Sequence, residues 1–177
     1  NFTSINKYLV DGLYYNILSA TDVEVTYKDS NYNSYSGTIN IPETIEVEGV
    51  TYNVTSIGAE AFKGCIDLKE IAISNSVERI GNNAFDGCSG LRTVTIGSAV
   101  TEIGENAFAG CDRIKTVYSY AEVPPTIYNN TFTVYVNDNA TLHLYRESQE
   151  AYAEADYWEY FTKIEIIKQQ YLLTYMV

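Results

Sequence analysis

Hydrophobic and polar positions alternate along this chain in short bursts rather than in long helical stripes. Ile71 and Ile73 flank Ala72, Val94 and Ile96 flank Thr95, and Leu142 and Leu144 flank His143. Alternation with period two over a few residues predicts short strands with one buried face. Between the bursts lie Ala-Phe-x-Gly-Cys segments at 61–65, 84–88 and 107–111. Each is long enough for one helical turn at most. Its glycine is suited to the left-handed conformation that closes such a turn. Small Ala61, Ala84 and Ala107 leave room for neighbouring segments to approach.

The bursts and the turns belong to one repeating unit. It reads IGAEAFKGCIDLKEIAISNSVER at 57–79 and IGNNAFDGCSGLRTVTIGSAVTE at 80–102, and it opens again as IGENAFAGCDRIKTVY at 103. Ile57, Ile80 and Ile103 align at a spacing of 23, as do Phe62, Phe85 and Phe108, then Leu68, Leu91 and Ile114. A unit this small cannot bury its apolar face alone, so stacked units must share buried faces and backbone hydrogen bonds.

Degenerate coils flank the clear ones. Ile39 and Ile41 read as the strand pair of an earlier coil, followed by a hairpin turning at Glu48 and Gly49. Residues 127–132 echo 103–108 with one extra residue, which enters near Pro124 and Pro125. Leu142 and Leu144 echo Val117 and Ser119. This gives an array about five strands long. The predicted organisation is one structural domain in three parts. Residues 1–36 form an N-terminal β cap with strands at 13–18 and 23–27. Residues 37–146 form the array, with clear repeats over 57–125. Residues 147–177 supply a C-terminal cap helix within 147–155, a last strand at 164–167 and a tail.

The motif IGxxAFxGCxxLxxIxI resembles the BspA-like leucine-rich repeats of bacterial surface and secreted proteins. The stretch LHLYxxSxxAYxxADxW at 142–158 resembles the C-terminal end of such arrays. The fold expected is a leucine-rich-repeat right-handed solenoid, α/β by class and β-rich. It has 23-residue repeats with a short helical turn per coil, and caps at both ends. The resemblance also implies an extracellular setting and, for some members, adhesion and host-protein binding.

Composition narrows the partners. Hydrophobic residues make up 46% and charged residues 19%, a globular balance. Eleven Lys+Arg against 23 Asp+Glu give a net charge of −12, which disfavours nucleic acid and anionic membranes. No apolar run approaches the ~18 residues that a membrane-spanning helix needs. The chain begins at Asn1 without an initiator Met, which fits either a removed signal peptide or a trimmed sequence, and a secreted or cell-surface location is expected. A monomer without cofactor is expected.

Chemistry has few footholds. Cys65, Cys88 and Cys111 are odd in number, form a column and are expected to be reduced core residues rather than bridges or metal ligands. His143 is the single histidine, so any nucleophilic triad would have to use it, and it is expected at the surface. The many carboxylates carry no motif that marks a glycosidase pair. Lys69, Arg92 and Lys115 repeat as a basic column beside acids and read as a solvated edge. No enzyme is expected. A protein-binding or adhesion module leads, with a carbohydrate-binding module and a structural surface spacer as alternatives.

The repeat register locates a candidate face. Between the inward strand residues lie the outward columns Asn40, Ala72, Thr95, Tyr118, His143 and Pro42, Ser74, Gly97, Tyr120, Tyr145. The last two strands thus place Tyr118, Tyr120, His143 and Tyr145 in a two-by-two cluster. Aromatic rings with polar tips suit protein hot spots and sugar stacking. Tyr128 and Trp158 are further candidates to join it. The same cluster is also a possible seat for the C-terminal helix or tail.

Overall fold

The computed structural model describes residues 7–167, so the tail at 168–177 and the first residues of the predicted N-terminal cap lie outside the described residues. The chain opens with an antiparallel meander of β1 (Tyr8–Val10), β2 (Leu13–Ile17) and β3 (Asp22–Thr26). After β4 (Gly37–Asn40) comes the expected hairpin, β5 (Thr44–Val47) and β6 (Val50–Ile57). Its two turn residues, Glu48 and Gly49, sit at φ of 51° and 80°. Positive φ at both central positions is what a two-residue turn needs to match the twist of its strands.

From there the regular coils supply strands to two sheets, and the later coils to one. One sheet receives β7 (Leu68–Ala72), β9 (Thr93–Ile96), β11 (Thr116–Ser119), β12 (Thr141–Leu144) and β13 (Lys163–Ile166). They join β4 in the order β4-β7-β9-β11-β12-β13, and every pairing is parallel. The second sheet carries β6 onward through β8 (Arg79–Ile80) and β10 (Glu102–Ile103), also parallel.

The one-strand-per-coil reading therefore missed a ladder. Ile57 pairs with Ile80 and Ile80 with Ile103, and Gly81 and Gly104 donate their N–H groups to the carbonyls of Ile57 and Ile80 at 2.8 and 2.9 Å. Gly81 lies so close to the Ala59 backbone that a Cβ there would collide with it.

The inward positions form one continuous apolar cluster from Leu13 to Phe161. Its spine is a row of parallel rings. Phe62, Phe85, Phe108 and Phe132 stack at centroid spacings of 4.9, 5.0 and 4.9 Å. That is the spacing of neighbouring strands, about 4.8 Å. The cysteines run beside them, unbridged and buried. The Cys88 and Cys111 thiols donate to the Phe62 and Phe85 carbonyls of the preceding coil at 3.0 and 3.1 Å.

The C-terminal end departs from the regular unit. Where one helical turn or less was expected, α1 (Val134–Asn139) spans six residues, with the Thr133 side chain accepting from the Val136 N–H. Buried Val136 anchors this helix to the core. The array was expected to hold about five strands, but β13 continues the same parallel ladder as a sixth among the described residues, with Leu142 opposite Ile164. Between β12 and β13, α2 (Gln149–Glu154) brings Tyr152 inward, and Trp158 follows it. The Tyr152 hydroxyl lies 2.7 Å from Ser119 Oγ and donates to the Ala121 carbonyl, while Trp158 Nε1 donates to the Pro125 carbonyl at 2.7 Å. No helix of the described residues is long and apolar enough to cross a membrane.

Candidate binding face

On the parallel sheet the outward column runs as the register demands. Asn40 faces Ala72, Ala72 faces Thr95, Thr95 faces Tyr118 and Tyr118 faces His143, with Glu165 next. Side chains alternate across a strand, so inward Val117 and Leu142 hold Tyr118 and His143 outward.

The four predicted residues meet. Tyr118 stacks on His143 at 4.5 Å with 25° between planes, and on Tyr120 at 6.5 Å and 9°. Tyr120 meets Tyr145 at 5.7 Å, tilted by 56°. All four are half-buried. Desolvation, reinforced by the neighbouring Tyr145 and Tyr118 phenols, raises the Tyr120 phenol above its ordinary pKa. His143 is outward but no free surface histidine. Its side chain is 16% exposed, and its Nδ1 lies 3.7 Å from Glu165 Oε2.

Tyr128 and Trp158 do not join the cluster. Trp158 is buried in the core against Phe132 and Tyr152. The Tyr128 hydroxyl donates to Glu102, whose other oxygen pairs with Arg79 beside the second sheet. Of the large C-terminal side chains, Tyr152, Trp158 and Phe161 turn inward, onto Ser119, Pro125 and Phe132, while Tyr160 is exposed.

The basic column stacks as read, with the N–H groups of Arg92 and Lys115 bonded to the carbonyls of Lys69 and Arg92. Lys69 lies 3.9 Å from Asp67, and Lys115 sits 5.6 Å above the Tyr135 ring. Among the described residues no group of three His, Cys, Asp or Glu side chains gathers as a metal site.

A groove that the sequence reading missed adjoins the aromatic cluster. It holds about 820 Å³ and crosses the C-terminal ends of the parallel strands, from Glu43 past Ser74, Thr95 and Ser98 to Tyr120 and Tyr145. A smaller recess of about 300 Å³ shares Tyr145 and Glu122 with it and is completed by Glu147 and Ser148. The available signal was the loop column just beyond the outward strand residues, where the Ser98 N–H donates to Asn75 Oδ1 at 2.9 Å.

Comparison with known proteins agrees with this architecture. Residues 31–139 match the BspA type leucine rich repeat region, in six copies. A leucine-rich repeat protein from Bacteroides ovatus is 25% identical with a TM-score of 0.56, covering 90% of this chain and 33% of its own. One from Bacteroides capillosus is 25% identical with a TM-score of 0.63, over 78% of this chain and 97% of its own. A leucine rich cell surface protein from Faecalibacterium prausnitzii shares the fold at 19% identity and a TM-score of 0.60, over 93% of this chain and 44% of its own. The chain thus spans well under two thirds of the first and third of these relatives. A comparison with curated proteins returned no match. Repeats of this type are generally non-enzymatic and mediate protein interactions. With parallel ladders, stacked phenylalanines and a matching region over most of its length, the chain belongs to the BspA type leucine-rich repeat family.

Proposed function

We propose that this chain is a non-catalytic interaction module, secreted or held at a bacterial cell surface, that binds protein through the outward side of its parallel sheet. Tyr118, Tyr120, His143 and Tyr145 form the contact. The ladder is read as a right-handed coil of 23-residue repeats, capped at both ends, and the molecule acts as a monomer. The carrying observation is the cluster itself, four half-buried rings linked through Tyr118 and Tyr120 at one end of an otherwise small and polar face. Rigid aromatic side chains lose little conformational freedom on binding, which is why they concentrate affinity. The cell-surface relative and the bacterial repeat family support the location.

The test is capture of surface and mucosal proteins by the immobilised chain and by Tyr118→Ala with Tyr145→Ala. The double variant is expected to lose the captured partner while its melting transition stays nearly unchanged. Unaltered capture removes this face. A glycan array run in parallel separates protein from carbohydrate recognition.

A further inference from the structure

The groove beside the cluster differs from the rest of the face in charge and depth. Its lining and that of the adjoining recess include Glu43, Glu122 and Glu147 and no lysine or arginine. None of these three carboxylates has an ion-pair partner among the described residues. Ser148, the most buried residue of the recess at 2% exposed, carries a hydroxyl with no hydrogen-bond partner among the described residues. It occupies the N-cap of α2 without capping it. Beside these groups stands the tilted pair Tyr120 and Tyr145, and Val123 projects 78% exposed at the rim.

We propose that this groove binds an extended, lysine- or arginine-bearing peptide segment of a partner protein, a reading that rests on the protein-binding function above. The charge is complementary, since a cationic side chain would meet carboxylates that no ion pair among the described residues neutralises. The shape is complementary too. The groove crosses the ends of five successive strands, β4, β7, β9, β11 and β12. At about 4.8 Å per strand that is roughly 19 Å. At ~3.3 Å per residue, an extended segment of about six residues fills it.

A lysine stem can lie along Tyr120 and Tyr145, whose ring faces attract its ammonium. The ammonium has three donors, which the recess can meet with Glu122, Glu147 and, on a rotation of its hydroxyl, Ser148. A neutral sugar would use the rings but leave three carboxylates without countercharge.

The experiment measures fluorescence anisotropy of a labelled octapeptide alternating lysine and serine, with its glutamate counterpart and a neutral N-acetylglucosamine oligosaccharide as competitors. The lysine peptide is expected to bind saturably and to resist both competitors. Glu43→Gln with Glu122→Gln should weaken it by about tenfold. Glu46→Gln with Glu105→Gln removes the same net charge outside the groove and should weaken it by less than about twofold. Equal loss from both pairs would reduce the effect to the overall negative field and overturn the proposal. So would absence of saturable binding, or displacement by the oligosaccharide. If the peptide fails while protein capture still depends on Tyr118 and Tyr145, the basic-peptide assignment falls and the aromatic face stands. If capture fails too, both fall.

Discussion

At the scale of single residues, the cysteine column shows how the repeat assigns roles. The three thiols are buried, and Cys88 and Cys111 each spend their proton on a carbonyl of the coil before. The pKa of Cys65 rises, first through its thiol contact with Cys88 and then through burial. That of Cys88 rises mainly through its contact with Cys111. A thiolate is the reactive form, so native protein at neutral pH should alkylate far more slowly than unfolded protein. Mass spectrometry should find no alkylated cysteine after brief native treatment and three after denaturation. A fresh sample with a bridge between Cys65 and Cys88 contradicts this. Their burial was legible because the sequence spaces them like the phenylalanines. The carbonyl acceptors were not legible, since they depend on how closely one coil lies on the next.

At the scale of elements, Ser119 and Tyr152 make a pair that no local pattern reveals. Ser119 stands where the preceding coils place Ile73 and Ile96, a polar residue in an inward apolar column. Its partner is a tyrosine 33 residues later, delivered by α2. Tyr152→Phe leaves the buried serine hydroxyl without that partner and should cost about 1–3 kcal/mol at neutral pH, read from urea unfolding.

The same tyrosine makes the fold alkali-sensitive. Burial pushes the phenols of Tyr152 and Tyr35 up to about 12, with hydrogen bonds from Ser119 and from the Tyr14 backbone pulling the other way. An unfolded tyrosine ionises near ~10. The stability these phenols contribute is therefore full below that pH and is lost as pH rises toward their folded values. Each contributes on the order of 2 kcal/mol to that loss. Unfolding free energy should fall between about pH 10 and 12, less steeply in Tyr152→Phe. An equal slope in both proteins would discount Tyr152. Strand positions and the hairpin turn were readable from alternation and from Glu48 and Gly49. The continuation of the second sheet through the coils escaped because the strands it adds there, Arg79–Ile80 and Glu102–Ile103, are too short to alternate.

At the scale of the whole molecule, the net charge of −12 works against compaction. Raising salt from about 0.02 to 0.3 M shortens the Debye length several-fold and should raise Tm by a few degrees. A falling Tm would mean that favourable pairs such as Arg79 with Glu102 outweigh the repulsion. The repeat was legible because a fixed period turns sequence offset into spatial neighbourhood, and the aromatic quartet because Leu142 and Leu144 could be matched to Val117 and Ser119 across a coil two residues longer, which sets Tyr118 against His143. The groove was not, because Glu43, Glu122 and Glu147 lie in connecting segments and one of them follows the irregular end of the array.

The identical register of the middle coils also sets how such a chain can change in length. Glu70 faces Thr93 and Thr93 faces Thr116, while Phe85 rests on Phe108 with their rings 1° from parallel. Any gene segment that adds a whole coil inherits a ready floor and ceiling and lengthens the face by one strand spacing, about 4.8 Å. Any other increment has to be pushed out as a loop. The extent of the outward face is thereby quantised. The two ends can be moved apart in fixed steps, and the aromatic patch with its neighbouring groove can be carried unchanged on a longer or shorter stalk.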